Sequence, residues 1–287
     1  MVEYTGFKDI LVALDAAVLV VTFNRTKERN VFTLPFAQEL EKVFKLADED
    51  DRVRVVVVTA DPKGPAYCAG ADMSAGWGGF SDPNSPYATS EPGTRVAKAI
   101  NDCRKITIAA VNGHSAGAGF SALQLPFDFR FAWAGGKIVI PFVRRAIAPE
   151  SLSSYFLPRL VGLAKAKAIF LTGGALTPDS PLLDGLYYQS FAERAEVFPA
   201  SLAFAKELAA NTSQTAVALT KDLLGHPLDT IDETMEKESR ILIYLSQQKD
   251  ATEAAKSFIQ RRPAKMEDKL SGIKTSWYPW WKTGSKL

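Results

Sequence analysis

The stretch Ala66-Tyr67-Cys68-Ala69-Gly70-Ala71-Asp72-Met73 decides the fold together with a second stretch, Ala110-Val111-Asn112-Gly113-His114-Ser115-Ala116-Gly117-Ala118-Gly119. Each follows an apolar run rich in β-branched residues, at residues 53–59 and 107–111. Small residues directly after a strand let the backbone approach a ligand closely. Two such strand ends can direct free backbone N–H groups at one oxygen atom. The sequence therefore predicts an oxyanion hole, which stabilises negative charge on a carbonyl oxygen.

The pattern around these two stretches predicts an α/β protein. Up to about residue 145, strand-like runs alternate with runs of helical periodicity, which implies a largely parallel sheet with right-handed crossovers. From about Pro149 onward the pattern is helical. The predicted strands cover residues 10–13, 18–23, 53–59, 107–111, 128–133 and 137–140. The predicted helices cover residues 34–50, 95–103, 151–160, 164–171, 201–210, 215–224, 233–248 and 252–262, and one more begins near Gly117.

Composition and charge narrow the class of protein. The chain has 287 residues, of which 47% are hydrophobic and 23% charged, as in ordinary globular proteins. A net charge of +2 without a basic stripe argues against nucleic-acid binding, and it is compatible with a phosphorylated small-molecule ligand. The two cysteines have neither metal-ligand nor disulfide spacing, which predicts buried, reduced thiols inside the cell. No apolar run reaches the ~20 residues of a membrane span, and the N-terminus lacks the pattern of a secretory signal.

The chain resembles the crotonase superfamily, also called the enoyl-CoA hydratase/isomerase family, over residues 13–258. The resemblance rests on Cys68-Ala69-Gly70-Ala71-Asp72-Met73, on residues 108–113 with the following Gly117-Ala118-Gly119, and on Asp128-Phe129-Arg130-Phe131-Ala132. It implies a crotonase (ClpP-like) fold of repeated ββα units with a C-terminal helical region. It also implies an acyl-CoA thioester substrate, a homotrimer or homohexamer, no metal, and no separate cofactor because CoA is part of the substrate.

The resemblance further assigns regions and roles along the chain. Residues 1–200 are expected to form the core with the oxyanion hole and the catalytic glutamate, residues 201–265 a helical trimerisation region, and residues 266–287 a tail. The two oxyanion-hole amides are expected at Ala71 and Ala118. Hydratases of the family carry two glutamates that activate a water, but the corresponding positions here are Ser121 and Phe142.

A different acid, Glu150, resembles the single catalytic glutamate of peroxisomal Δ3,Δ2-enoyl-CoA isomerases. It occurs in Ala146-Ile147-Ala148-Pro149-Glu150-Ser151-Leu152-Ser153-Ser154-Tyr155. One carboxylate suits isomerisation, because the same base can remove a proton from C2 and return one to C4. An apolar pocket formed by residues such as Phe142, Ile147 and Leu152 is expected to raise the pKa of Glu150. The expected activity is therefore a double-bond shift in fatty-acid β-oxidation.

Other interpretations stay open. Glu150 also fits a helix start, where an acid is favoured by the helix dipole. An enoyl-CoA hydratase of a specialised secondary pathway would use Glu150 to activate water, with help from Ser121 or His114. A protein of another class, a non-catalytic acyl-CoA-binding subunit, would bind the thioester without turning it over.

The expected ligand contacts follow from the same resemblance. His114, Ser121 and Phe142 are candidate pocket residues, although a lone histidine is more often a packing residue. A basic C-terminal group at Lys256, Arg261 and Arg262 is a further candidate for the CoA phosphates. The residues expected to bind substrate or CoA are Ala69, Gly70, Asp72, Met73, Gly117, Arg25 and Lys27.

The C-terminal region contains a targeting tripeptide and a cluster of aromatic residues. Ser285-Lys286-Leu287 is the tripeptide of a peroxisomal address, which predicts peroxisomal localisation and an import receptor as partner. Large aromatic side chains rarely stay free in water, so those of residues 277–281 are expected to dock on the body or on a neighbouring subunit. A membrane-surface anchor is the alternative.

Residues 80–92, rich in Ser, Pro, Gly and Asn, are a candidate mobile loop over the site.

Overall fold

A computed structural model describes residues 2–74, 76 and 91–281 of the chain. The predicted loop at residues 80–92 and the terminal Ser285-Lys286-Leu287 lie outside the described residues, apart from Glu91 and Pro92. The strands are β1 (Ile10–Asp15), β2 (Val18–Phe23), β3 (Val55–Ala60), β4 (Ala66–Cys68), β5 (Ile106–Val111), β6 (His114–Ala116), β7 (Phe129–Trp133), β8 (Ile138–Val139), β9 (Ala175–Leu176) and β10 (Gln189–Phe191).

In the described part of the chain, the larger sheet has six strands in the order β1-β2-β3-β5-β7-β10. The strands β1 and β2 form an antiparallel hairpin, and the other neighbours are parallel, which confirms the predicted largely parallel sheet. Every residue of β3 and β5 is buried. Their valine and isoleucine side chains point alternately to both faces, and helices cover both faces.

The smaller sheet has the order β4-β6-β8-β9 and carries both glycine-containing stretches. Its strands β4, β6 and β8 are parallel, and β9 is antiparallel to β8. Strand β8 lies within the strand predicted at residues 137–140, but β4, β6 and β9 were not predicted, nor was β10 in the larger sheet. These strands have only two or three residues, too few to show an alternating pattern.

The helices lie where the apolar periodicity predicted them, with shifted ends. Helix α1 begins after Thr33, whose side chain accepts a hydrogen bond from the amide of Phe36 as an N-cap. One face of the large sheet packs on α1 and α2, and the other packs on α6. The helices are α1 (Leu34–Glu49), α2 (Pro92–Asp102), α3 (Ala118–Ser121), α4 (Ser153–Val161), α5 (Leu163–Thr172), α6 (Val197–Asn211), α7 (Gln214–Gly225), α8 (Ile231–Ser246) and α9 (Lys249–Gln260).

Two boundaries differ from those expected. The helix expected from residue 151 begins at Ser153, because Ser151 and Leu152 have left-handed backbone angles, with φ of 55° and 59°. The expected boundary at residue 200 falls inside α6, whose Ala205 and Ala209 are buried against the large sheet. Residues 201–211 therefore pack with the core.

The aromatic residues near the C-terminus dock on the same chain. Trp280 is only 7% exposed and packs with Leu219 of α7 and Ile241 of α8. The Tyr278 hydroxyl donates a 2.7 Å hydrogen bond to Asp222, and Trp281 is stacked on His226 with the ring centres 3.9 Å apart. Docking on the body is therefore observed. Among the described helices, none combines the length and apolar character that crossing a bilayer requires.

Candidate active site

Ala71 follows β4, and its amide points away from the neighbouring segment around Phe32. Phe32 pairs with Ala71 as an isolated parallel bridge. The amide of Phe32 donates to the Gly70 carbonyl at 2.7 Å, and the amide of Asp72 donates to the Phe32 carbonyl at 3.0 Å. In a parallel pairing the residue between these two bonds turns its own N–H to the opposite side. The Ala71 N–H therefore points away from Phe32, and Ala71 lines a cavity.

The end of β6 exposes the Ala118 amide by starting a helix. Gly117 has φ 46° and ψ −117°, a backbone conformation that is essentially open only to glycine, and it precedes the first residue of α3. The first N–H groups of a helix have no acceptor in the preceding turn. In the described part of the chain, neither the Ala71 nor the Ala118 amide finds a backbone acceptor. Both are available to a carbonyl oxygen of a ligand.

A buried polar network supports the turn that carries Ala118. The Gln124 side-chain amide donates to the Gly119 carbonyl at 2.9 Å and to the Ser115 hydroxyl at 2.8 Å. The Tyr187 hydroxyl donates to Gln124 Oε1 at 2.8 Å. Buried polar groups stabilise a conformation when their hydrogen bonds are all made. This network was not predicted from the sequence, because residues 124 and 187 meet only in the folded chain.

Both strand ends face one cavity of about 690 Å³. Its wall is mostly apolar, and Glu91, Arg145 and Glu150 are the charged residues among the described ones that line it. The volume lies in the range of small-molecule binding sites. The apolar side chains of the wall include those of Phe32, Met73, Val139, Phe142, Ile147 and Ala148.

Glu150 lies in the wall of this cavity with both carboxylate oxygens hydrogen-bonded. The Ser121 hydroxyl donates to Oε1 and the Ser151 hydroxyl donates to Oε2. The pKa of Glu150 is raised to about 7, because burial, the largest cause, and the nearby charge of Glu91 both raise it more than the two serine hydroxyls lower it. A carboxyl group with this pKa can both accept and release a proton near neutral pH.

A second acid that the sequence analysis missed, Glu91, lines the same cavity. Glu91 caps the start of α2, where its Oε1 accepts hydrogen bonds from the amide of Thr94 at 2.8 Å and from the hydroxyl of Thr94. The same oxygen accepts the amide of Ser151 at 3.1 Å. The sequence signal was limited to an acid before Pro92 at a helix start, and only the tertiary structure brings it to Glu150.

Gly93 lies beside both carboxyl groups. A Cβ atom at this position would be closest to the Ser151 hydroxyl oxygen and would lie 2.9 Å from Oε2 of Glu91 and 2.9 Å from Oε2 of Glu150. Such a distance is shorter than real Cβ contacts. The missing side chain of Gly93 therefore leaves room for both carboxyl groups and for the Ser151 hydroxyl.

The structure brings together most of the residues predicted for ligand binding. Ala69, Gly70, Met73, Gly117 and Phe142 all line the cavity with Ala71, Ala118 and Glu150. Ile147 also lines it, but Leu152, expected in the pocket, does not. The left-handed backbone of Leu152 leaves its side chain 36% exposed.

Other predicted residues lie outside this cavity. The Asp72 carboxylate accepts the Ser74 amide at 3.0 Å, which lowers the pKa of Asp72. Nδ1 of His114 accepts the amide of Lys137 at 2.9 Å, and burial lowers the pKa of His114, which suits a packing role. Neither Asp72 nor His114 is among the residues that line the cavity.

The predicted basic contacts are at the surface. Arg25 forms an ion pair with Asp9 at 3.1 Å, and Lys27 is exposed. Arg262 pairs with Glu253, while Lys256 and Arg261 are exposed. Their contacts with CoA stay predictions. Among residues 2–74, 76 and 91–281, no group of three or more His, Cys, Asp or Glu side chains is arranged to hold a metal ion.

Two backbone amides without a backbone acceptor lie in the wall of one cavity, beside a desolvated carboxyl group, and this arrangement suits thioester enolate chemistry. The family model for enoyl-CoA hydratase/isomerase matches residues 13–269. The chain therefore belongs to the enoyl-CoA hydratase/isomerase family, and its α/β architecture is the crotonase fold of that family.

Individual relatives agree with this assignment. The chain is 34% identical over 253 residues to the enoyl-CoA hydratase ACTT3 of Alternaria alternata, covering 88% of this chain and 84% of the relative. It is 29% identical over 255 residues to a probable peroxisomal enoyl-CoA hydratase 1 of Arabidopsis thaliana, covering 86% and 91%. A crystal structure of a probable enoyl-CoA hydratase/isomerase from Mycobacterium abscessus superposes with a TM-score of 0.82 at 33% identity, covering 91% and 99%.

Proposed function

We propose that this protein is a Δ3,Δ2-enoyl-CoA isomerase that acts in fatty-acid β-oxidation. The observation that carries the proposal is the position of Glu150, a desolvated carboxyl group in the wall of the cavity lined by Ala71 and Ala118. Membership of the family supports an acyl-CoA thioester as the substrate.

In the proposed reaction the thioester carbonyl oxygen accepts hydrogen bonds from the Ala71 and Ala118 amides. Glu150 removes a proton from C2, and the electron pair of the C–H bond moves into the thioester, giving an enolate with its charge on oxygen. The carbonyl then re-forms, the double bond moves from C3–C4 to C2–C3, and C4 takes the proton from Glu150. Atoms and charge balance without water or a redox partner. Each oxyanion donor is expected to lower the barrier by about 3–4 kcal/mol.

The residues around Glu150 support a single-base mechanism. Ser121 and Phe142 occupy the positions where the resemblance led us to expect the hydratase glutamates. Ser121 instead donates a hydrogen bond to Glu150, and Phe142 adds to the apolar wall. A pKa of about 7 lets Glu150 hold the proton between its removal from C2 and its delivery to C4.

Enoyl-CoA hydratase is a second candidate, and a specific observation favours it. Glu91 brings a second carboxylate to the cavity, and the relative from Alternaria alternata is named a hydratase. Hydration adds a hydroxyl group to C3 and a proton to C2 of a 2-enoyl-CoA. Two acids close together can hold a water and exchange protons with it, so Glu91 and Glu150 would share that task.

Product analysis separates the candidates. The purified protein is incubated with a 3-enoyl-CoA and, separately, with a 2-enoyl-CoA, and products are identified by chromatography and mass spectrometry. An isomerase converts the 3-enoyl-CoA to the 2-enoyl isomer of equal mass and adds water slowly or not at all. A main product heavier by one water from the 2-enoyl substrate would overturn the isomerase proposal in favour of hydration.

The Glu150→Gln variant tests the base directly. We expect its isomerase rate to fall by at least about 10²-fold, because the amide cannot accept the C2 proton. Glu49→Gln, which changes an exposed glutamate of α1, is the matched control and should keep the wild-type rate. Tight binding of an acyl-CoA with no turnover by the wild type would instead support a non-catalytic binding subunit.

We also propose peroxisomal localisation with an import receptor as partner, supported by the Ser285-Lys286-Leu287 terminus and by the name of the Arabidopsis thaliana relative. A fluorescent protein fused to the N-terminus should co-localise with a peroxisomal marker, and deletion of the last three residues should abolish this co-localisation.

A homotrimer or homohexamer is the proposed assembly. The exposed apolar side chains of Leu242, Phe258 and Ile259 on α8 and α9 support it, and a mass measurement in solution tests it.

A further inference from the structure

The backbone directly after Glu150 adopts an unfavourable conformation. Ser151 and Leu152 both have left-handed φ angles, at 55° and 59°, and neither is a glycine. Such a pair persists only when the surrounding contacts hold it. The turn decides where the Glu150 side chain points, because it connects Glu150 to the start of α4.

Two sets of contacts hold this turn. On one side, the Ser153 hydroxyl donates to the Glu150 carbonyl at 2.6 Å and the Ser153 amide donates to the same carbonyl at 3.0 Å. On the other side, the Glu91 carboxylate accepts the Ser151 amide at 3.1 Å and the Thr94 amide at 2.8 Å. One carboxylate therefore joins the turn to the N-terminus of α2.

The Glu91 and Glu150 carboxyl groups both lie beside Gly93, each with Oε2 2.9 Å from the position of a Cβ atom at that residue. The negative charge of Glu91 opposes the ionisation of Glu150. The hydroxyl and thiol groups beside Glu150 are neutral. Ser121 and Ser151 carry hydroxyls, and burial raises the pKa of Cys68 to about 12, which keeps its thiol protonated. Arg145 is the other charged residue among the described ones that line the cavity.

We propose that Glu91 is a positioning residue that ties the Ser151 backbone to α2 and thereby sets the Glu150 carboxyl group against the acyl cavity. The role given to Glu91 rests on the proposed function of Glu150. Glu91 does not itself exchange a proton with substrate in this scheme. Its negative charge disfavours ionised Glu150, so it also adjusts the pH at which the base becomes active.

Two substitutions separate these effects. Glu91→Gln keeps an oxygen that can accept the Ser151 amide but removes the charge, and Glu91→Ala removes both. For Glu91→Gln we expect the rising limb of the pH profile of kcat/KM to move to lower pH by about one unit, because the charge that disfavours ionised Glu150 is gone. For Glu91→Ala we expect kcat to fall by about 10²-fold with a smaller change in KM, because a misplaced base loses reactivity.

Glu41→Gln is the matched control. Glu41 is another partly buried carboxylate near α2, where it pairs with Arg95 at 3.4 Å, but it does not line the cavity. This variant should leave the pH profile unchanged. An equal shift in Glu41→Gln, or an unmoved profile in Glu91→Gln, would overturn the proposal. A loss above about 10²-fold in Glu91→Gln at every pH would also overturn it, since Glu91 would then act chemically.

A second readout keeps the test independent of the reaction. The protein labelled with ¹³C at glutamate carboxyl groups is titrated by NMR, and the signal absent from Glu150→Gln is assigned to Glu150. We expect this signal to titrate at lower pH in Glu91→Gln than in the wild type. A wild type that fails to isomerise a 3-enoyl-CoA would refute the proposed function, while an unchanged titration of Glu150 would refute the role of Glu91.

Discussion

Glu150 lies where a carboxylate loses much of its hydration, and this burial is the largest cause of its raised pKa of about 7. A base is active only in its ionised form. We therefore expect kcat/KM for isomerisation to rise with pH and to reach half of its plateau near pH 7 in the wild type. Rates measured from about pH 5 to about pH 9 check this. A profile already flat from pH 5 would contradict Glu150 as the base.

Removal of the Ser121 hydroxyl should shift the pH profile of kcat/KM in the direction opposite to removal of the Glu91 charge. This hydroxyl donates to Oε1 of Glu150 and so stabilises the ionised form, which lowers the pKa. In Ser121→Ala the pKa of Glu150 should rise, and the rising limb of kcat/KM should move to higher pH. Ser246→Ala, which removes a hydroxyl from the end of α8, is the control. A limb that moves to lower pH in Ser121→Ala would exclude this role.

At the scale of elements, the start of α3 depends on one glycine. Alanine at residue 117 meets no atom within 4 Å, but it opposes a φ of 46° with ψ of −117°. We expect Gly117→Ala to turn the Ala118 amide away and to lower kcat by about 10²-fold, as loss of one oxyanion donor does. Steady-state kinetics with a 3-enoyl-CoA check this.

Gly225→Ala provides the comparison for that variant. Gly225 ends α7, its added Cβ meets no atom within 4 Å, and its φ does not lie in the left-handed region. The substitution should leave both kcat and the melting temperature close to those of the wild type. Wild-type kcat in Gly117→Ala would mean that the hole does not depend on the conformation of residue 117.

How much was predictable differs between elements. The strands β3 and β5 were predictable because unbroken apolar runs report burial on both faces. That Ala71 and Ala118 line one cavity was predictable because their segments carry a recognisable local motif, while their role as oxyanion donors stays a prediction. The smaller sheet was not predictable from the sequence, because its strands of two and three residues are defined by pairing with distant segments and are too short to show a local pattern. Glu91 was missed for the same reason, as its neighbour in space is remote in sequence.

At the scale of the whole molecule, the C-terminal aromatic cluster connects the tail to α7 and α8. Trp280 is 7% exposed and packs with Leu219 and Ile241. We expect Trp280→Ala to lower the free energy of unfolding by about 3–5 kcal/mol, the usual loss for a buried tryptophan. The active-site cavity does not include this residue, so kcat below the melting temperature should stay unchanged.

Thermal and denaturant unfolding measure the effect of Trp280→Ala. Leu163→Ala is the comparison, because Leu163 is 60% exposed on α5 and should cost little. Equal stabilities of the two variants would show that the docked tail contributes nothing to the fold.

The absence of a side chain at residue 93 has a consequence for redesign. Three side-chain oxygens lie close to the point where a Cβ atom would stand, the hydroxyl oxygen of Ser151 and one carboxyl oxygen each of Glu91 and Glu150. Any larger residue at this helix start would therefore press on the serine as well as on both acids. A redesign that fills this position must rearrange all three side chains together.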